Sequence, residues 1–336
     1  MTNTFAVVIL NWNGAEDTIE CIRSILSTDP AALPVVVDNG STDDSVKRIL
    51  SVFGADGIDV VCGTFEELRN HHATRVTESR IVLVRGDENL GFSGGCNFGL
   101  KLVAGWGIKY TVFLNNDTVV ESSALSRLVN RLTADPSCYV TLPQLTVHGT
   151  DRIWNCGGQI SSLGFRRYFF VGALRGKTKI PEEIVCSFFT GCCFAVLTVD
   201  FMKRGGFCER FFFGEEDFEL SLWMKDRGLK AICLTSSVVH HKVSASISRA
   251  ANKCQASKVY VHYLNRFIHM RHRFGRFRWW LWLTIYLPYI VVLFAAKKVL
   301  PISQIPSFMV SVIRRSARSN KVTRSDFESI METAPW

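Results

Sequence analysis

Residues 6–41 read AVVILNWNGAEDTIECIRSILSTDPAALPVVVDNGS, and this stretch decides the fold. Two short, wholly apolar runs, 6–10 and 34–37, each stop at a polar turn, Asn11-Trp12-Asn13-Gly14 and Asp38-Asn39-Gly40-Ser41. Between them Ile19, Ile22, Ile25 and Leu26 recur at helical spacing. Strands with no polar alternation are buried on both faces, so the pattern predicts a parallel strand–helix–strand unit.

The same alternation continues outward. Residues 42–52 predict a helix with Ser41 or Thr42 as N-cap and Val46, Ile49 and Leu50 on one face. A third strand is expected at 81–84, a Gly-rich loop at 89–95 and a helix at 97–104. A fourth strand, 110–114, ends at Asn115-Asn116-Asp117, and a helix follows at 123–134. The expected fold class is α/β, a Rossmann-like, mostly parallel sheet with helices on both faces. Ligands bind such sheets beyond the carboxyl ends of the strands, and three of those ends carry polar turns. Asn, Asp and Gly are ordinary turn formers; three such turns converging at one edge are a functional signal. Residues 61–80 predict a surface insertion with solvated His71 and His72, and residues 140–187 predict short strands and a long connection.

Composition excludes several classes. With 336 residues, 47% hydrophobic and 21% charged, the chain is neither disordered, nor collagen-like, nor a simple coiled coil. The net charge of +9 hides a split: residues 1–226 hold 21 Lys+Arg against 27 Asp+Glu, and residues 227–325 hold 18 Lys+Arg with no acid. Such a basic tail fits nucleic acid or an anionic membrane surface. The eleven cysteines include no C-x-x-C, and Cys192 and Cys193 are adjacent, which predicts reduced, buried thiols in a cytosolic compartment. The first residues show no basic n-region, so no signal peptide is expected.

The chemistry-bearing segment is 211–228, FFFGEEDFELSLWMKDRG. Three acids opening a helix complement its dipole, which alone explains Glu215 and Glu216. A carboxylate held against three phenylalanines acquires a raised pKa and suits general-base work. A strand at 231–239 then ends at His240-His241-Lys242, before the serine-rich run VSASIS. One of the two histidines is expected to join Asp117 on Mn²⁺ or Mg²⁺ bound together with substrate phosphates. The loop GFSGG at 91–95 lacks G-x-G-x-x-G spacing and follows the wrong strand for a dinucleotide fingerprint.

In order, AVVILNWNG, VVVDNGSTDDS, ENLGFSGGCNFGL, FLNNDT, FFTGCCFAV, FFFGEEDFELSLWMKDRG and VVHHKVSAS resemble the family 2 glycosyltransferases over roughly residues 5–275. The likeness is greatest to the rhamnosyltransferase-type branch of bacterial cell-surface polysaccharide synthesis. It implies a GT-A fold, a dTDP- or UDP-sugar donor, a divalent metal and inversion at the anomeric carbon. Carried onto this chain, it places Asp38 on the pyrimidine base, Asn11 near the nucleoside and Asn97 near the donor. Asn115, Asn116 and Asp117 match a D-x-D motif whose first acid is replaced by Asn, which leaves Asp117 as the metal carboxylate. Glu216 and Asp217 match the catalytic ED pair, with Asp217 the base. His241 matches a metal or diphosphate contact. Catalytic domain and tail are expected to divide at 1–265 and 266–336.

The tail carries RFIHMRHRFGRFR at 266–278, then eighteen uncharged residues at 279–296 interrupted by Pro288 and closed by Lys297-Lys298. A spanning helix needs about 20 apolar residues, and basic clusters at both ends oppose the positive-inside tendency. The expectation is therefore an in-plane or re-entrant anchor on the cytoplasmic face of a bacterial inner membrane, acting on a lipid-linked saccharide acceptor. A buried helix is the alternative, and tryptophan density argues against nucleic acid. Two rival functions remain: a nucleotidyltransferase using the same strand-end acids, and a non-catalytic membrane-bound scaffold.

Overall fold

The computed structural model describes residues 4–69, 79–242 and 252–336. Strand β1 (Phe5–Asn11), helix α1 (Ala15–Thr28) and strand β2 (Ala32–Asp38) form the expected parallel unit, with Phe5 opposite Ala32 and Asn11 opposite Asp38. Helix α2 (Ser45–Ala55), β3 (Val60–Thr64), α3 (Phe65–Arg69), β4 (Ile81–Arg85), α4 (Gly91–Gly105) and β5 (Tyr110–Asn115) follow. Strand β5 runs parallel to β1 with Leu10 opposite Asn115, so the polar ends of β1, β2 and β5 leave the sheet side by side.

Beyond β5 the sheet is mixed. Strand β6 (Thr118–Val120), helix α5 (Ala124–Ala134), the long β7 (Cys138–Val147) and the short β8 (Ile153–Asn155), β9 (Gly158–Ile160), β10 (Arg166–Tyr168) and β11 (Glu183–Cys186) come next. Strand β12 (Cys193–Leu197), helix α6 (Thr198–Lys203), helix α7 (Glu216–Asp226) and β13 (Lys230–His241) complete the layered body. The main path is β11-β13-β7-β12-β5-β1-β2-β4-β3, in which β12 is antiparallel to both neighbours and β11 to β13. Strand β9 pairs with β10 as a separate hairpin.

Alternate residues of β1 feed opposite layers. Val7 and Ile9 join α1, α2 and α5 on one face; Ala6 and Val8 join α3, α4, α6 and α7 on the other. Each fully buried aliphatic side chain of this kind is worth about 1.5–3 kcal/mol.

Three local expectations are corrected. Residues 60–64 are not part of an insertion: they pair in parallel with β4 at the sheet edge. His71, His72 and the serine-rich run after Lys242 lie outside the described residues. Helix α2 begins at Ser45, three residues late, because Ser41 donates to the Asp38 carboxylate and the Thr42 N–H donates to Asn13 Oδ1 instead of capping. The Gly-rich segment 91–95 is the first turn of α4, not a loop. Close packing overrides low helix propensity there: a Cβ at Gly95 would fall 2.3 Å from Leu10 Cδ1 and one at Gly99 2.7 Å from Val8 Cγ1.

A third layer covers the outer face of α7. Helix α8 (Asn252–Lys297), broken at Gly275 (φ 75°, ψ 165°), packs with α9 (Ile305–Arg318) and α10 (Arg324–Thr333) around Phe218, Leu222, Tyr260, Phe267 and Trp282. From residue 277 to 294 two stripes run along α8. Trp279, Trp282, Leu283, Tyr286, Ile290 and Phe294 are buried against the body. Phe277 (78%), Trp280 (54%), Ile285 (55%) and Val292 (68%) are exposed, so this helix is apolar on both sides. The arginines of 266–278 divide likewise. Arg266 bonds Glu215, Arg271 donates to the Ala317 and Ser319 carbonyls, and Arg273 pairs with Asp226. Three of the five are therefore spent inside the protein rather than offered to a surface.

Candidate active site

The polar strand ends are joined by a continuous ring of contacts. Asn11 Nδ2 donates to Asp38 Oδ1 (2.7 Å), and Thr18 Oγ1 donates to Asn11 Oδ1 (2.8 Å). Asn116 Nδ2 donates to Thr18 (3.0 Å), which ties the β5 turn to β1. Asp117 Oδ1 lies 3.1 Å from His241 Nε2, and its carbonyl accepts the Lys242 N–H. Cys192 lies beside the His241 ring, and a Cβ at neighbouring Gly191 would lie 3.9 Å from Glu216 Oε1. On the other side Asn39 bonds Asn89 and the Gly91 carbonyl, and the Phe92 N–H donates to the Phe212 carbonyl, three residues before Glu215. Gly91 has φ +75°, and a Cβ there would fall 2.1 Å from the Phe212 carbonyl oxygen, so only glycine permits this approach.

Asp38 is buried and pinned by three donors. Besides Asn11, it accepts from Ser41 N (3.1 Å) and Ser41 Oγ (2.6 Å). With Asn39, Thr64, Phe65, Arg85 and Leu90 it lines a cavity of about 430 Å³ beyond the ends of β2, β3 and β4. Asn11 is fully buried, with its amide spent on Asp38, Ser41 and Thr18. From the end of β1 its amide holds Asp38 in place. Asn97 is a correction: it does not face the ring. Its amide donates to the Phe207 carbonyl and Glu209 (both 2.8 Å) and accepts from the Phe207 N–H (2.7 Å). It sits on the buried side of α4, which the helix's early start turned inward.

The acidic turn is built differently. Gly214 (φ +85°) and Glu215 (φ +70°) are both left-handed; for a non-glycine this costs of order 1–3 kcal/mol and persists only where the surroundings impose it. Helix α8 does so. Asn265 Nδ2 donates to the Phe213 (2.8 Å) and Gly214 (3.0 Å) carbonyls. Arg266 clasps the buried Glu215 carboxylate through Nε (2.7 Å) and Nη2 (2.6 Å) and donates to Tyr286 Oη (3.1 Å). Arg166 and His262 approach the same carboxylate at 3.6 and 3.4 Å. Burial would raise the Glu215 pKa, but Arg266 and Arg166 hold it far below the usual carboxylate range. Reading Glu215 as a helix-dipole acid missed this. Its one sequence signal is a lone arginine on an otherwise apolar helical face.

Glu216 and Asp217 are the opposite case. Both are half-buried, and neither accepts a side-chain hydrogen bond among the described residues. Burial and the Asp217 charge push Glu216 up to about 8. Burial also raises Asp217, while Arg166 opposes that shift. Burial thus raises both carboxylates, and Glu216, carried to about 8, keeps its proton near neutrality.

Of the two histidines, His240 is committed to structure, between Thr146 (2.6 Å) and Glu121 (3.1 Å). His241 faces Asp117, with the Trp154 ring tilted against it at 4.6 Å. Burial disfavours charge on His241, but Cys192 and Asp117 lift it to about 10. Its Nδ1 is buried without a hydrogen-bond partner. No group of three or more His, Cys, Asp or Glu that could hold a metal occurs among the described residues. Once His241 gives up its proton, one carboxylate and one imidazole fit a hard cation that completes its shell with substrate phosphate and water, not a closed protein cage. The Asn115 carbonyl accepts from Thr118 (2.7 Å), and its side chain is half-exposed at the ring. The ten described cysteines are all free, eight of them buried.

Residues 6–197 match the family described as Glycosyl transferase family 2. Among solved structures, the chain is similar to GalNAc-T7 crystallised with UDP, GalNAc and Mn²⁺ (TM-score 0.51, 16% identity, covering 71% of this chain and 44% of that one). It is also similar to residues 1–349 of S. aureus TarS (TM-score 0.48, 12% identity, 98% and 81% covered). No curated protein matches by sequence. At such identities the likeness to GalNAc-T7 is one of fold, the GT-A arrangement, and this chain spans less than half of that protein.

Proposed function

The chain belongs to glycosyl transferase family 2, and from that premise we propose that it moves a sugar from a dTDP- or UDP-sugar to a lipid-linked saccharide, with inversion at the anomeric carbon. The observation that carries this reading is Asp217, which has no side-chain donor among the described residues, in the turn that the contact ring joins to the donor-held Asp38. The cavity at Asp38 takes the nucleoside, with the pinned carboxylate accepting from the base. Asp217 accepts the proton of the incoming acceptor hydroxyl as its oxygen bonds to the anomeric carbon. The bond from that carbon to the donor diphosphate breaks, and a nucleoside diphosphate leaves. One base is enough for this single displacement. Glu216, protonated, keeps a second negative charge out of the site. Asp117 and His241 would hold Mn²⁺ or Mg²⁺, which when bound neutralises charge on the departing diphosphate. Asn115 and Asn116 border that position.

The motif order makes rhamnose the first donor to try. The exposed stripe of α8, flanked by Arg276, Arg278, Lys297 and Lys298, favours attachment in the plane of an anionic leaflet over a full span, because the opposite stripe is already buried in protein. Residues 266–336 would supply that attachment at the cytoplasmic face.

The test is a donor screen with the full chain: dTDP-rhamnose and UDP-hexoses with Mn²⁺ or Mg²⁺ and membrane lipid extract, products read by mass spectrometry. A glycosylated lipid plus nucleoside diphosphate is expected. Pyrophosphate released from a nucleoside triphosphate, with no nucleoside diphosphate from any sugar donor, would replace this reading by nucleotidyl transfer.

A further inference from the structure

A second cavity, of about 660 Å³, lies between α3, α4 and α6. Phe65 and Arg69 of α3, Phe98, Lys101 and Leu102 of α4 and Met202 of α6 line it. We propose that this cavity binds a small organic anion with an apolar ring body, and that the bound anion is an effector of the neighbouring Asp38 cavity. The anion site needs nothing of the transferase reading; the coupling rests on that reading, in which the Asp38 cavity takes the nucleoside.

Charge selects the class of ligand. Arg69 and Lys101 are exposed and make no ion pair or hydrogen bond among the described residues. No acidic side chain lines the cavity, and the acids close to it are engaged elsewhere. Glu66 lines the Asp38 cavity instead. Glu67 accepts the Thr64 N–H (2.7 Å) and stands 3.7 Å from Arg85. On α6, Asp200 is paired with Lys203 (3.1 Å). Two uncompensated cations therefore face this hollow.

The lining selects the body. The indole N–H of Trp106, at the same cavity, is spent on the Leu68 carbonyl (3.1 Å), which leaves only its ring to a ligand. With Phe65, Phe98, Leu102 and Met202 it gives an apolar wall with few polar partners, too few for the many hydroxyls of a sugar. An apolar hollow of roughly 300–1,000 Å³ with a small number of placed charges is the usual form of a small-molecule site, and flat rings pack well against the phenylalanines. Gly105 keeps the hollow open: a Cβ there would meet nothing within 4 Å.

The coupling follows from shared walls. Phe65 and Phe98, with ring centroids 4.5 Å apart, line both this cavity and the one at Asp38. Both rings are half-buried. A ligand packed on one side restricts the pair, so a nucleoside arriving on the other side meets rings already ordered. Each ligand then tightens the other by the same factor.

The experiment is calorimetry on the full chain in detergent with Mg²⁺, using 2-naphthoate as the probe and 2-naphthalenemethanol as its uncharged match. The alcohol should bind about fivefold more weakly or worse, and Arg69→Glu and Lys101→Glu should each weaken naphthoate to a similar degree, the weight of a partly exposed ion pair. Gly105→Phe, which fills the hollow, should abolish binding. Lys47→Glu, an exposed cation on α2, should leave it unchanged. Saturating UDP should tighten naphthoate about fivefold, and naphthoate should tighten UDP equally. Equal affinity for acid and alcohol, or normal naphthoate binding in all three cavity variants, overturns the anion site. UDP affinity that is unchanged or weakened by naphthoate overturns the effector role. A chain that binds naphthoate but neither UDP nor dTDP loses the donor reading and the coupling with it, and keeps the anion site.

Discussion

The Asp38 turn and the 215–217 turn sit on one ring of contacts and treat their carboxylates in opposite ways. Asp38 accepts from Asn11 and twice from Ser41, all within the strand ends that carry it. Among the described residues Glu216 and Asp217 receive no side-chain donors, and the ion pairs of Arg266 and Arg166 are made with Glu215. A carboxylate already supplied with donors is fixed in place and reads a ligand's shape. One left short of donors in a half-buried place is poised to take a proton. The contrast also crosses the chain: the first turn is assembled from neighbours within 30 residues, the second by a helix 51 residues onward.

The sharpest way to break the comparison is Asp217→Asn. It should lower kcat by about 10³-fold or more, within the range for loss of a general base, while nucleotide binding, measured by calorimetry, stays unchanged. Transfer at the normal rate would remove Asp217 as base. Next is Arg266→Met. Glu215 would lose its bidentate partner and keep only the longer contacts to Arg166 and His262, and about 3 kcal/mol of stability should be lost, read as a drop in the denaturant midpoint.

Asn11→Ala strikes the first turn. Asp38 loses one of its donors and Thr18 an acceptor, so about 1–3 kcal/mol is expected, with the donor KM raised and kcat little changed. Equal effects on both constants would mean that Asp38 does more than hold the donor.

The smallest effects are in pH. Because Asp217 must be ionised to act and its pKa is raised by burial, kcat/KM should fall on the acid side at a pH above the ordinary carboxylate range. Arg166→Gln removes a nearby cation and should move that limb further up. Glu215 and Glu216 give stability slopes of opposite sign. Glu215, lowered in the fold, contributes stability that is present above its ordinary value of 4.5 and lost as pH falls below it. Glu216, raised to about 8, favours the fold while protonated and disfavours it as pH rises from 4.5 toward 8. Melting temperatures of E215Q and E216Q across pH 2–9 should flatten opposite limbs.

Much of the first turn was legible in order along the chain. Apolar runs closed by Asn and Asp announced β1, β2 and β5, and parallel pairing then places their ends together. What the local pattern missed was decided by packing. Residues 60–64 alternate too weakly to announce an edge strand. The glycines of 91–99 look like a loop until their contact with Leu10 and Val8 is known. Asn97 was carried over as a donor contact, but the earlier helix start turns it onto Phe207.

The acidic turn and the tail show the limit most clearly. Three acids in a row say that charge gathers at 215–217; they do not say which acid is neutralised. That choice belongs to Asn265 and Arg266, which reach the turn only because α8 folds back over α7. The tail's amino acids likewise establish a long apolar helix with cationic ends. Which of its stripes is covered by protein and which stays bare follows from the rotation of α8 on the body. Hydrophobic spacing and turn chemistry act between near neighbours, so they are written in the order of residues. Electrostatic partnership and burial depend on distance in space, and only the assembled chain sets those distances.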